Sequence, residues 1–151
     1  MIIPDLNILL YAVNESSPRN PAAREWLEDT LNRGKDDLGL PWAVHLGFLR
    51  LATSPRVFAQ PLKVETALAW LDNLCGHPAV TAVNPGKAHA GILRHLLLTV
   101  GTGGNLTTDA HLAALALEND ATFVTALPPG AAQAQRCDPH AICTDLYKIQ
   151  P

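Results

Sequence analysis

The sequence has no excess of positive charge: its formal net charge is −3 at pH 7 with histidines neutral. Without an overall basic field, any binding of RNA or DNA must rest on a local patch. No apolar run approaches the roughly 20 residues of a membrane span. The first residues carry neither a basic segment nor a signal-peptide cleavage pattern. These absences predict a soluble, cytoplasmic protein.

Cysteine is scarce as well. The chain of 151 residues has three, Cys75, Cys137 and Cys143, an odd number and widely spaced, which argues against a disulfide framework. What the sequence does have is apolar material, with 48% hydrophobic and 17% charged residues. That length and composition are typical of one compact domain with a sizeable core.

Short apolar segments alternate with amphipathic ones along residues 1–125. We predict strands at residues 1–4, 38–41, 79–83 and 121–125, and helices at residues 6–13, 21–32, 42–52, 63–75, 85–99 and 108–119. This alternation predicts an α/β fold with a parallel sheet. Residues 126–151 show no clear period. We therefore predict a core of residues 1–125 and an atypical C-terminal tail that packs on or extends the same domain.

Two carboxylates interrupt apolar runs. Asp5 cuts the stretch IIPDLNILLYA, and Asp109 lies in the first turn of the helix predicted from NLTTDAHLAALALEN. Each has an ordinary explanation, because Asp5 can cap a helix and Asp109 can complement a helix dipole. Both, however, begin helices beside predicted strand ends, where parallel sheets place their ligand sites. Converging carboxylates repel unless a cation neutralises them, and Mg²⁺ and Mn²⁺ prefer such oxygen ligands.

Three segments in this order, IIPDLNILLYAV, LPWAVHLGFLRLATSPRVF and NLTTDAHLAALALEN, resemble the PIN-domain toxins of the VapC type. The resemblance covers residues 1–125 and is closest to the subgroup that reads W-x-x-x-x-GFLRLAT. It implies a PIN-like α/β/α sandwich with a short central parallel sheet. It also implies a Mg²⁺- or Mn²⁺-dependent endoribonuclease that an antitoxin encoded next to it inhibits.

The resemblance also assigns roles to residues. Asp5 matches the first metal-binding aspartate of the family, Asn7 its usual polar companion, and Asp109 the aspartate of the D-A-x-x-A-A-x-A motif. Two positions depart from the family pattern. Gly47 stands where many members have Glu, and Thr125 is followed by ALPPG rather than by a further acid. Asp138 or Asp145 would replace that last carboxylate only if the tail folds back.

Further side chains are candidates for supporting roles. We predict that Arg50 and Thr108 assist the site, Arg50 by contacting a phosphate. His111 is predicted to lie on the surface, away from the face that carries Asp109. Trp42 falls at helical core spacing, which favours packing over base stacking.

The sequence therefore predicts a toxin of a type II toxin–antitoxin system, a metal-dependent endoribonuclease in which Asp5 and Asp109 hold Mg²⁺ or Mn²⁺. One alternative is a catalytically impaired PIN-like binding module that keeps the antitoxin interface, and a weaker one is a metal-dependent phosphatase on the same site. The predicted partners are RNA, a VapB-type antitoxin in a groove near the acidic site, and a second copy of the chain. The predicted homodimer surface is apolar, and its residues are Trp42, Leu46, Leu49, Phe58 and Trp70.

Overall fold

The structure, a computed structural model, describes residues 1–33, 36–104, 106–125 and 135–137. Five strands and six helices follow one another along these residues. The strands are β1 (Ile2–Pro4), β2 (Leu38–Pro41), β3 (Val80–Val83), β4 (Thr122–Thr125) and β5 (Gln135–Cys137). The helices are α1 (Leu6–Val13), α2 (Asn20–Arg33), α3 (Trp42–Ala52), α4 (Val64–Cys75), α5 (His89–Val100) and α6 (Leu106–Glu118).

The strands form one sheet in the order β3-β2-β1-β4-β5. The first four strands of the chain are mutually parallel, and only β5 runs antiparallel, against β4. The chain thus steps outward from β1 to β3 and then returns to β4 on the other side of β1. Because parallel crossovers are right-handed, that reversal puts α1 to α4 on one face and α5 and α6 on the other. The predicted α/β/α sandwich with a central parallel sheet is confirmed.

The reversal of strand order positions the site. In open α/β sheets, ligands bind outside the carboxyl ends of the strands at the point where the order reverses. Here that point lies between β1 and β4, whose residues Pro4 and Val124 are register partners. Both strands are almost fully buried, so a polar group at their ends must find a partner or a ligand.

Two glycines allow β2 and α3 to pack closely against the beginning of the chain. At Gly39 in β2, an added β-carbon would lie 2.8 Å from Val83 Cγ2 and 2.9 Å from Met1 Sδ. At Gly47 in α3, it would lie 2.6 Å from Leu6 Cδ2. The glycine at 47 therefore allows α3 to rest against the first residue of α1, next to Asp5.

Most predicted element boundaries agree with the structure to within two residues. The main difference is α5, which we predicted from residue 85 and which begins at His89. The reason is a long-range contact, because the backbone N–H groups of Gly86 and Ala88 donate to the Glu118 carboxylate at 2.9 and 3.0 Å. This contact holds the connection before α5 outside the helix.

Among the described residues, no helix is both long and apolar enough to span a membrane. Of the tail, residues 135–137 form β5, which pairs with β4 along Phe123–Thr125. Asp138 and Asp145 lie outside the described residues, so a replacement of the last family carboxylate by either one stays a prediction. The division into a core and a tail also stays a prediction.

Candidate functional site

Asp5 stands at the carboxyl end of β1 and is 8% exposed. Its backbone N–H donates to the Val124 carbonyl at 2.7 Å, which ties the end of β1 to β4. Its Oδ2 atom accepts two hydrogen bonds, from Thr125 Oγ1 at 2.8 Å and from Asn7 Nδ2 at 3.0 Å. The neighbouring strand and the first turn of α1 thus fix the orientation of this carboxylate.

A helix cap alone does not account for the geometry of Asp5. Asp5 has the extended backbone of an N-cap residue, with φ −69° and ψ 150°, but its side chain makes no capping hydrogen bond to α1. Burial raises the pKa of Asp5 above its usual value, and the side-chain hydrogen bonds from Thr125 and Asn7, with the nearby backbone N–H groups of Leu6 and Asn7, offset only part of that rise. The side chain is therefore an oriented, poorly solvated carboxylate with no cation beside it in the described part of the chain.

Asp109 comes from the other direction, in the first turn of α6. It is half-buried, and its pKa rises to about 6. Burial is the larger cause and the negative charge of Asp5 the second. The fold therefore brings these two carboxylates, 104 positions apart in the sequence, close enough for their charges to repel.

Thr125 is a site residue that the sequence analysis missed. It is the last residue of β4, is 7% exposed, and donates to Asp5 across 120 residues of chain. The sequence pattern marks it only as the residue after which the family pattern fails. Its position at the end of β4 could have indicated this role. A hydroxyl at the carboxyl end of the strand beside β1 can reach a side chain at the end of β1.

The remaining predicted site residues are less closely involved. Asn7 donates a hydrogen bond to Asp5, and its supporting role in the site stays a prediction. Arg50 is exposed in the last turn of α3 and Thr108 in the first turn of α6. No hydrogen bond or ion pair between these two side chains and the acidic pair occurs within the described residues, and their supporting roles stay predictions.

Two predictions about other side chains are wrong. Trp42 is 59% exposed and is not part of the core, because it occupies the first position of α3, just beyond the sheet. His111 is half-buried rather than a surface residue, because its Nδ1 atom lies 2.9 Å from Nε2 of the buried His89 on α5. Burial and the nearby His89 lower the pKa of His111.

The acidic pair fits a hard divalent cation that keeps much of its water. Two carboxylates supply oxygen ligands, and their raised pKa values show that the described residues do not neutralise them. Mg²⁺ is characteristically held by one or two carboxylates and several waters. No cluster of three or more His, Cys, Asp or Glu side chains suitable for a metal occurs among the residues that the structure covers. Asp5 and Asp109 are therefore the described side chains that could hold such an ion.

Comparisons with known proteins match most of the chain. The family model described as PIN domain matches residues 2–126. Ribonuclease VapC37 of Mycobacterium tuberculosis is 44% identical over 125 residues, which is 83% of this chain and 86% of that protein. Ribonuclease VapC33 of the same species is 44% identical over 121 residues, or 80% of this chain and 84% of that protein.

A solved structure shows the same fold. It is the crystal structure of VapBC2 from Rickettsia felis bound to a DNA fragment from their promoter. The TM-score is 0.57 at 20% sequence identity, and the match covers 82% of this chain and 86% of that one.

Proposed function

Since the chain belongs to the PIN domain family, among its VapC-type ribonucleases, we propose that it is the toxin of a toxin–antitoxin pair and cleaves RNA at the acidic site between β1 and α6. VapC-type PIN ribonucleases are generally metal-dependent. The observation that carries the proposal for this chain is the convergence of Asp5 and Asp109, with a pKa of about 6 for Asp109.

Asp5 and Asp109 would hold the ion, with Mg²⁺ as the proposed cofactor and Mn²⁺ as a substitute. When bound, such an ion supplies Lewis-acid chemistry, which activates a water and offsets charge on the scissile phosphate. Thr125 and Asn7 both donate to Oδ2 of Asp5, so Oδ1 has no side-chain donor among the described residues. The two hydrogen bonds thereby restrict the rotation of the carboxylate.

Metal-dependent melting tests this site without relying on turnover. Saturating Mn²⁺ should raise the melting temperature of the native chain, because a ligand that binds only the folded state stabilises it. Asp5→Asn should abolish the shift while leaving metal-free stability equal or slightly higher, since repulsion with Asp109 is relieved. Glu28→Gln, at an exposed position on α2, is the control and should keep the shift. A shift that survives Asp5→Asn would refute the metal site.

The substrate we propose is single-stranded RNA. A chain with net charge −3 can make only a few phosphate contacts, so its affinity should fall with salt at a log–log slope of about −2 to −4. Selectivity should then come from RNA shape and unpaired loops. Activity on a phosphomonoester but not on RNA would favour the phosphatase alternative. Antitoxin binding with no cleavage in Mn²⁺ would favour the impaired binding module.

An antitoxin partner is supported by a groove with a volume of about 540 Å³ between α2 and α4. Its apolar lining includes Ala12, Leu27, Leu31, Leu62, Trp70 and Leu74. We propose that it takes the apolar face of a VapB-type antitoxin segment. Neither Asp5 nor Asp109 lines this groove, so an antitoxin that also covers the acidic pair must extend beyond it. Co-purification with the antitoxin should fail for Leu31→Glu and persist for Leu98→Glu, which alters an exposed leucine on α5.

The proposed homodimer is supported by the α3 patch, which consists of Trp42 and Leu46. Each is 59% exposed, and they stand one turn apart. Leu49, Phe58 and Trp70 are partly buried against the core, so they contribute less to this surface than the sequence predicted. Light scattering should report a dimer that Leu46→Asp dissociates and Leu98→Asp does not. A native monomer at micromolar concentration, with or without antitoxin, would contradict this proposal.

A further inference from the structure

An arginine and a tyrosine contact each other where α1 connects to α2, and we call them the Arg–Tyr pair. The Arg19 guanidinium lies over the Tyr11 ring, with Cζ 4.9 Å from the ring centroid. Its Nη1 atom also donates to the Tyr11 hydroxyl at 2.5 Å. Both residues are half-buried, so part of the pair faces solvent. The stacking and the hydrogen bond together hold the guanidinium in one orientation.

The connection between α1 and α2 is already held by other groups. Asn20 is 8% exposed, and its Nδ2 atom donates to the carbonyl oxygens of Tyr11 and Ala12 at 2.9 and 3.0 Å. The Asn20 backbone N–H in turn donates to the Ser17 carbonyl at 3.0 Å. The contact between the side chains of Arg19 and Tyr11 therefore adds to a connection that Asn20 already makes, and it needs a further explanation.

The positive charge of Arg19 has no counter-charge in the described part of the chain. No ion pair of Arg19 occurs among those residues, whereas Arg24 on α2 pairs with Glu28 at 3.7 Å. The Tyr11 hydroxyl and ring orient the guanidinium but carry no formal charge to neutralise it. A guanidinium has five N–H donors in a planar fork, so one bond to Tyr11 leaves others for an anion. Phosphate oxygens are characteristic bidentate partners of arginine.

Helix α1 leads from the acidic site to the Arg–Tyr pair. Asn7, in the first turn, donates to Asp5, and Tyr11 follows Asn7 by four residues. The two therefore lie on the same face of the helix, separated by a rise of about 6 Å along its axis. Neither belongs to the buried positions of α1. An RNA strand with its scissile phosphate at Asp5 can thus follow this face and bring a neighbouring phosphate to the pair.

We propose that the Arg–Tyr pair binds a backbone phosphate of the RNA strand next to the scissile one, an inference that rests on the proposed ribonuclease function. Two carboxylates repel the RNA backbone, and a net charge of −3 provides no general attraction. A local cation beside the acidic site offsets that repulsion. The pair does not line the groove between α2 and α4 that we assign to the antitoxin, so its position favours RNA as the ligand.

Steady-state cleavage of a single-stranded RNA in saturating Mn²⁺ tests the pair. Arg19→Gln should raise KM about ten-fold, as expected for the loss of a charge-assisted contact. It should leave kcat nearly unchanged, because the contact is made equally in the ground state and the transition state. The salt dependence of KM should become shallower by about 0.7 in log–log slope, the value for one phosphate contact with a single strand. Arg24→Gln removes the same charge from an exposed position on α2 and should change none of these quantities.

Tyr11→Phe separates orientation from charge. It keeps the ring and the cation but removes the hydroxyl that accepts from Arg19, so KM should rise about three-fold. The salt dependence should stay that of the native chain, because the number of phosphate contacts is unchanged. This variant loses a single hydroxyl and so tests the pair independently of the folding of Arg19→Gln. A native KM in both variants, or an equal rise of KM in Arg24→Gln, would overturn the proposal.

The Mn²⁺-dependent melting shift distinguishes a failure of this inference from a failure of the proposed function. Arg19→Gln should keep the shift, since Arg19 has no described hydrogen bond or ion pair with Asp5 or Asp109. If the native chain cleaves RNA and Arg19→Gln does so with the native KM, the phosphate contact alone is refuted. If the native chain neither binds nor cleaves RNA, both proposals fail. Loss of antitoxin co-purification in Arg19→Gln at the native KM would identify the pair as an antitoxin contact and also overturn the inference.

Discussion

Helix α6 carries a carboxylate near each end, and the two are held in opposite ways. Glu118, in the last turn, accepts two backbone N–H groups and lies beside a histidine. Asp109, in the first turn, has a carboxylate as its charged neighbour and a pKa raised to about 6. The donors at the Glu118 end offset the cost of burial, whereas the Asp109 end leaves its charge uncompensated. Unmet electrostatic cost of this kind is characteristic of functional sites.

The two ends of α6 should differ most in their effect on RNA cleavage. Asp109→Asn should lower cleavage by roughly 1,000-fold, because it removes half of the proposed ligand pair. Asp5→Asn should do the same, and the double variant should add little, since the two side chains act as one site. Initial rates on a fluorescent single-stranded RNA with saturating Mn²⁺ provide the measurement. Glu118→Gln should retain most of the rate; a loss there equal to that of Asp109→Asn would erase the distinction between the two ends.

Thermodynamic stability should show the reverse pattern. Glu118→Ala removes the acceptor of two exposed backbone N–H groups and should lower the free energy of unfolding by about 1–2 kcal/mol. Asp109→Asn should leave metal-free stability unchanged or higher, because it relieves repulsion with Asp5. Urea denaturation of both variants without metal tests this contrast. The control Glu28→Ala alters a surface pair with Arg24 and should cost less than about 0.5 kcal/mol.

Thr125 sharpens the comparison, because it is a donor at the otherwise uncompensated end. Thr125→Val keeps the shape but deletes the hydrogen bond to Oδ2 of Asp5, and we expect Mn²⁺ affinity to fall about ten-fold. Thr125→Ser keeps the hydroxyl and should restore most of that affinity. Calorimetric titration with Mn²⁺ distinguishes these outcomes, and equal affinity of native and Thr125→Val chains would show that the hydroxyl does not position the carboxylate.

The smallest expected effect is a dependence on pH. The folded-state pKa of Asp109 is raised from 3.8 to about 6, so the folded chain binds this proton more tightly than the unfolded chain does. The contribution of Asp109 to metal-free stability is therefore present below about pH 4 and lost as pH rises through about 6. Stabilisation by Mn²⁺ should grow over the same interval, because the ion needs the ionised carboxylate. Melting curves at several pH values should show both trends. Asp109→Asn should weaken the first trend, because the raised pKa of Asp5 remains, and should lack the second.

The sequence predicted the local pieces of this molecule better than their contacts. The helix at Leu6–Val13 and the strand at Leu38–Pro41 were predicted to the residue, because apolar periodicity and Pro are local signals. Asp5 and Asp109 were predicted to converge because each begins a helix beside a predicted strand end in a parallel sheet. Both predictions needed only neighbouring residues and a general rule of topology.

What the sequence could not supply depends on residues far apart in the chain. The start of α5 at His89 is set by Glu118, about 30 positions away. The burial of His111 depends on His89 from another helix. Thr125 reaches Asp5 across 120 residues. Trp42 has core spacing on its own helix, yet it is exposed because no described element covers the start of α3. A single sequence contains each of these residues but does not indicate which of them contact one another.

The 120-residue separation between Asp5 and Thr125 also determines when the site can exist. A ribosome adds about 5–20 residues per second, so Asp5 emerges roughly 6–24 s before the strand that orients it has been made. Until β4 docks beside β1, Asp5 lacks both the Val124 carbonyl and the Thr125 hydroxyl. In a nascent chain, or in one truncated before residue 125, Asp5 therefore lacks the contacts that orient it toward Asp109. The order of synthesis itself delays the appearance of a harmful activity until the whole core has been translated.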